Sequence, residues 1–152
     1  MTLLAVWLRL PPQQRAMALE AAMRLTLARL IVYYVPMRYW RRRLEAVASD
    51  GSSDAGRQPL GRAVGRMVRR VARRLPFEAL CLPQAMAAQW MLRRRGVSAR
   101  LWIGVRRPAP GRPLAYHAWL TVDGESVIGG RPARACVPLP WPLPPAAGSA
   151  RP

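Results

Sequence analysis

The chain has 152 residues, and 51% of them are hydrophobic, which is enough core for one compact unit, or for one small domain with a helical extension. Its 25 basic residues stand against 7 acidic ones, for a net charge of +18. Every basic residue is Arg, and neither Lys nor Asn occurs. That pattern reads as a coding bias toward GC-rich codons as much as a selected charge. The high pI is therefore discounted as a sign of nucleic-acid binding, and no nucleic-acid partner is expected. Two cysteines make no disulfide framework, and no close pair suggests zinc.

Residues 3–10 form a short apolar segment with no signal-peptide character, stopped by Pro11-Pro12. Residues 13–35 read as a helix: Met17, Ala21, Leu25, Ala28 and Val32 recur at helical spacing, and Glu20 lies one turn before Arg24. The longest apolar stretch, Leu25 to Met37, is interrupted by Arg29 and Pro36, so it is too short and too charged to span a bilayer, and a cytoplasmic location is expected. Tyr33, Tyr34, Tyr39 and Trp40 read as packing or partner surface. Residues 49–58 have a loop composition. Residues 60–74 resume helical spacing, with Leu60, Val64, Met67, Val68 and Val71 on one face and arginines on the other.

The next helix is expected over residues 81–95. Leu82, Ala85, Met86, Gln89 and Leu92 follow the helical repeat, Pro83 sits in the first turn, and Gly96 terminates it after Arg93-Arg94-Arg95. The period then changes to two. Leu101, Ile103 and Val105 alternate with Arg100, Trp102 and Gly104. After a Pro/Gly turn over 107–113, one face of the following strand carries Tyr116, Ala118, Leu120 and Val122; the other carries Ala115, His117, Trp119 and Thr121. Asp123-Gly124 is a hairpin signal, and residues 126–128 return as a third strand. Helices followed by an antiparallel sheet define an α+β arrangement.

The chemistry-bearing residues are Cys81, which opens the third helix, and His117, the one histidine, on a strand. A helix N-terminus stabilises a thiolate, and its unpaired N–H groups can hold an oxyanion. If the His117 face meets the start of that helix, the imidazole can take the thiol proton and return it to a leaving amine. This ordering is that of papain-type and transglutaminase-type sites. A third member would have to come from the three aspartates, Asp50, Asp54 and Asp123. In a two-residue turn, however, Val122 pairs with Glu125, His117 falls near Gly130, and Asp123 lies roughly 20 Å along the strand from His117. Three alternatives stay open: an irregular hairpin, a turn role for Asp123, or an orienting group from elsewhere. Gln84 and Glu78 flank Cys81 at one-turn distance, and Trp119 shares the His117 face. Cys136, in a Pro-rich stretch, reads as structural or incidental. The pairs Arg69-Arg70 and Arg73-Arg74 read as a solvated face, or as a hold for an acidic leader peptide or partner.

Taken together, Pro76-Phe77, Cys81-Leu82-Pro83-Gln84-Ala85, Arg93-Arg94-Arg95-Gly96, Ile103-Gly104-Val105, His117-Ala118-Trp119 and Val122-Asp123-Gly124 resemble the lasso-peptide biosynthesis B proteins. These are transglutaminase-like leader peptidases related to the microcin-processing protein. The match covers residues 75–130. The resemblance implies a transglutaminase-like or papain-like core, with a Cys-bearing helix packed on a small antiparallel sheet. The implied organisation is a helical segment and linker over 1–58, the catalytic core over 59–137 and a Pro-rich tail over 138–152. It also implies a cysteine peptidase that removes the leader of a ribosomally made precursor, with Cys81 as nucleophile, His117 as base and Asp123 as third member. Gln84 and Trp119 support these residues, and no cofactor or metal is required. The implied partners are the precursor peptide, a separate leader-recognition protein and the ATP-dependent lactam-forming cyclase. Thr121 departs from the acidic residue that relatives often carry there. A catalytically silent basic adaptor and an acyl transferase using the same site are the competing readings.

Overall fold

The structure, a computed structural model, describes residues 11–40, 57–106, 115–130 and 136–139. The expectations for residues 3–10, for the 107–113 turn, for most of the 49–58 loop and for the tail beyond residue 139 lie outside these residues.

Three helices and four strands follow one another: α1 (Pro12–Tyr34), α2 (Arg57–Ala72), α3 (Cys81–Arg94), β1 (Arg100–Arg106), β2 (Ala115–Val122), β3 (Glu125–Ile128) and β4 (Cys136–Pro138). A further helical turn begins at residues 37–40. The predicted α+β class is what the chain adopts.

α1 opens with proline in its first turn, where the missing N–H costs nothing. It ends at Val35, which is extended, as a residue before proline must be. Ala21, Leu25 and Ala28 face the core, the face the spacing predicted. Glu20 does not serve the expected pair with Arg24. Its carboxylate is buried and accepts from Arg95 at 2.7 Å, with Arg94 at 3.7 Å. An acid one turn from a cation on an exposed face gains little; here the cations at the end of α3 reach across and hold α1 down.

α2 begins at Arg57, so the predicted loop is shorter than its composition suggested. Val64, Met67 and Val68 are buried as expected, together with Gly61 and Gly65. Gly65 lies so close to β3 that a Cβ there would stand 2.3 Å from the Val127 carbonyl oxygen. The absent side chain is what lets the helix backbone rest on the strand.

α3 is the centre of the molecule. Ala85, Met86, Ala87, Ala88, Met91 and Leu92 are fully buried, on every side of the helix rather than on one. Its one buried polar side chain, Gln89, donates to the Ala99 carbonyl at 3.2 Å. The helix ends in a Schellman motif: Gly96, at φ 72°, donates to Arg93 and Val97 donates to Leu92. Gly96 is therefore the terminator predicted from its place after the arginine run.

The strands form one antiparallel sheet in the order β3-β2-β1-β4. β1 and β2 pair from Arg100↔Thr121 to Arg106↔Ala115 without interruption. Asp123 (φ 47°) and Gly124 (φ 79°) form the tight turn between β2 and β3, and Val122 pairs with Glu125 as predicted. The register then shifts: Thr121 faces Ser126 but Leu120 faces Ile128, so Val127 is an inserted bulge residue. β4 was not anticipated. Cys136, Val137 and Pro138 pair with β1 on its free edge, and Leu139 donates to Ile103 at 2.9 Å. Pro138 and Leu139, assigned from sequence to the tail, thus belong to the sheet edge.

The helices cover one face of the sheet. Ala118, Leu120 and Val122 of β2 join Val64, Val68, Ala85, Met91 and Leu92 in the main core. A smaller cluster gathers Ala28, Trp40 and Met86, and the Trp40 indole donates to the Val35 carbonyl at 2.9 Å. Of the predicted aromatic set, Trp40 is packing, while Tyr33, Tyr34 and Tyr39 stay exposed.

Gly65→Ala forces α2 away from β3 and is expected to lower the unfolding free energy by about 1–3 kcal/mol, read by denaturant titration. A second expectation concerns Glu125, whose two carboxylate oxygens accept from Arg62 at 2.9 and 2.6 Å. That hydrogen bonding holds the Glu125 carboxyl below its usual range. Because the folded value is the lower one, the pair's contribution is present above the unfolded carboxyl value and is lost as pH falls through the folded one. In Arg62→Gln the Glu125 carboxyl should titrate at higher pH than in the parent, as followed by carboxyl ¹³C NMR.

Candidate active site

Cys81 is the first residue of α3 and is half-buried against the core. Leu80, before it, is extended and supplies no side-chain cap to the N–H groups of the first turn. Pro83 has no N–H, and the Gln84 N–H goes to the Leu80 carbonyl at 3.2 Å. The main-chain donors left closest to the thiol in sequence are therefore those of Cys81 and Leu82.

The chain leading into Cys81 is braced from two sides. Gln84 turns back so that its amide donates to the Ala79 carbonyl at 2.7 Å. Arg29 of α1 donates to the Glu78 carbonyl and lies over the Phe77 ring. Gln84, predicted beside Cys81, thus fixes the backbone that delivers the thiol. Glu78, also a candidate, is exposed and contributes its main-chain carbonyl.

His117 lies on β2 opposite Gly104. Its ring is nearly parallel to that of Trp119, with centroids 6.1 Å apart, and Trp119 is nearly parallel to Trp102 at 6.2 Å. The indole of Trp119 fills a slot formed where side chains are missing. A Cβ on Gly104 would come within 2.8 Å of the indole ring, and one on Gly129 within 2.4 Å of the Trp119 Cβ. Gly129 also has φ 94°, which favours glycine.

The glycine after β3 brings a main-chain carbonyl to the imidazole: His117 Nε2 lies 3.0 Å from the Gly129 oxygen. A carbonyl oxygen can only accept, so Nε2 carries the proton and, in the neutral ring, Nδ1 is the basic nitrogen. Asp123 is elsewhere. It is exposed in the hairpin turn, at the opposite end of β2 from His117. The two-residue turn puts His117 near Gly130, and the group that meets the ring is the main-chain oxygen of the glycine just before it. The Gly129-Gly130 pair directly after a strand was the available signal.

The structure does not join every candidate. The helices pack on the Ala118, Leu120 and Val122 side of β2, whereas His117, Trp119 and Thr121 alternate with them on the other. The expected meeting of the His117 face with the helix is therefore replaced by packing of the opposite face. Among the described residues no hydrogen bond joins the Cys81 thiol to the imidazole. Cys136 is buried and unbonded to Cys81. No cluster of metal-ligating side chains occurs among the described residues, and none of the described helices is long and apolar enough to cross a membrane.

A Cys-led helix buried against an antiparallel sheet is an arrangement on which thiol-dependent hydrolases and acyl transferases are built. A family profile described as the transglutaminase-like superfamily matches residues 21–138, and the chain belongs to that superfamily. No match was found among curated proteins or among solved structures.

With a single histidine in the chain, one set of imidazole signals reports the tautomer without assignment. The neutral ring should appear as the Nε2–H form in two-bond ¹H–¹⁵N spectra. A dominant Nδ1–H form would break the link to Gly129.

Proposed function

We propose that this protein is a cysteine peptidase that removes the leader from a lasso-peptide precursor. Cys81 is the nucleophile, His117 the base and then the acid, and the Gly129 carbonyl the group that fixes the ring. The observation that carries the reading is the placement of Cys81 at the first residue of the buried central helix, in a chain of the transglutaminase-like superfamily.

In this mechanism Nδ1 of His117 takes the Sγ proton of Cys81. The thiolate adds to the scissile carbonyl, and the N–H groups of the first turn of α3 hold the oxyanion. Collapse of the tetrahedral adduct releases the amine of the core peptide, which takes its proton from the imidazolium. Water, deprotonated by the same imidazole, then hydrolyses the thioester and frees the leader. The Nε2–H bond to Gly129 keeps Nδ1 as the working nitrogen throughout. The dyad requires Nδ1 within hydrogen-bond reach of Sγ, and because the His117 side chain stands on the face of β2 turned away from α3, forming it requires β2 and the start of α3 to move relative to one another when substrate binds. Asp123 serves the turn. A separate leader-recognition protein presents the precursor, the lactam-forming cyclase takes the released core, and the site of action is the cytoplasm.

The test is leader removal from the cognate precursor with the recognition protein present. Cys81→Ala and His117→Ala should each lose activity by on the order of 10⁴-fold or more, while Asp123→Asn should stay within about tenfold. Undiminished cleavage by Cys81→Ala would end the reading and favour a silent adaptor. Transfer of the leader acyl group to an added amine in preference to water would identify an acyl transferase.

A further inference from the structure

Between the start of α1 and the length of α2 runs a groove of about 1000 Å³. One wall carries five arginines: Arg66, Arg69, Arg70, Arg73 and Arg74. No carboxylate lines it among the described residues. The described acids with ion-pair partners are spent elsewhere, Glu20 on Arg94 and Arg95 and Glu125 on Arg62. Two of the arginines are tethered within the fold: Arg69 donates to the Val127 carbonyl at 2.6 Å and Arg74 to the Arg70 carbonyl at 2.9 Å. Burial, followed by the charges of Arg73 and Arg66, lowers the Arg69 pKa. Among the described residues the cluster therefore holds like charges together with no anion to offset them.

We propose that this groove binds an acidic, amphipathic peptide segment. Arg66, Arg70 and Arg73 recur at one-turn intervals, spanning about 11 Å along the helix axis. Carboxylates at one-turn spacing on a helical peptide laid along α2 meet them in register. Between the arginines the lining is apolar, with Met17, Ala63 and Met67, which suits the peptide's apolar side chains. Gln13 and Gln14, exposed in the same lining, offer amides to its main chain. The described lining includes no aromatic ring. A single-stranded nucleic-acid groove would use such rings to stack bases, so the apolar floor favours a peptide. The site is separate from Cys81 and does not depend on the proposed cleavage.

The probe is a fluorescein-labelled helical peptide of about 16 residues, or roughly four turns, with Glu on one face and Leu beside it. Fluorescence anisotropy with the full chain measures its affinity at physiological salt. Arg66→Gln, Arg70→Gln and Arg73→Gln combined should weaken binding about tenfold or more. Arg24→Gln, Arg38→Gln and Arg93→Gln, which remove the same charge elsewhere, should change it by less than about twofold. All six side chains lie on the surface or at its margin, and thermal unfolding verifies that both variants fold. Equal weakening by the two sets would show attraction to net charge alone and overturn the proposal. A single-stranded oligonucleotide of matched charge that binds at least as tightly, with the same dependence on the groove arginines, would also overturn it. Because binding is read directly, either failure leaves the peptidase reading untouched.

Discussion

The fold depends on one constraint: α3 has no solvent face along most of its length. Ala85, Ala87 and Ala88 are small enough for α1, α2 and the sheet to close around it, while Met86, Met91 and Leu92 fill the remaining volume. Fully burying one such large side chain is worth about 1.5–3 kcal/mol. A helix enclosed in this way cannot slide or rotate without opening the core on several sides at once. Its C-terminal end is fixed in turn, by the Schellman motif at Gly96 and by the Glu20 carboxylate that Arg95 holds there, and its start is braced by the Gln84 amide on the Ala79 carbonyl. The start of the helix, and with it the Cys81 thiol, inherits that rigidity.

The histidine is held by a different device. Trp119 occupies space that glycines at 104 and 129 leave open, and the imidazole lies alongside the indole. The close approach that admits the tryptophan also carries the Gly129 carbonyl to Nε2. A main-chain oxygen, like a carboxylate, selects one tautomer, but it adds no negative charge to stabilise the imidazolium. Orientation and electrostatic support, which a third acidic residue would combine, are here separated, and only orientation is supplied by the ring's partner.

The arginine excess is not evenly employed. Some arginines are structural: Arg95 holds α1, Arg62 ties α2 to β3 and Arg29 steadies the approach to Cys81. Others, on α2 and just beyond it, gather along a groove that no carboxylate lines among the described residues. Compositional bias can set how many arginines a chain carries. It does not by itself account for which of them face a carboxylate and which line a groove.

What local physics controls was legible in the chain before it folded. Helical spacing marked α3, and proline and glycine marked its ends, because caps and backbone limits act within a few residues. Alternation placed Ala118, Leu120 and Val122 on one face and His117 with Trp119 on the other. Asp123-Gly124 fixed a two-residue turn because its two positive φ angles suit Asp or Asn followed by Gly. Tertiary structure decided the rest. The pairing of Cys136 to Pro138 with β1 is a contact of distant segments, with no periodic signal in a three-residue strand. The bulge at Val127 shifted the register beyond it. The face of β2 that the helices cover, the partner of Glu20 and the oxygen that meets His117 all depend on which segments come together in space. No local pattern encodes a carbonyl group, since every residue has one; only the folded chain selects the one at Gly129.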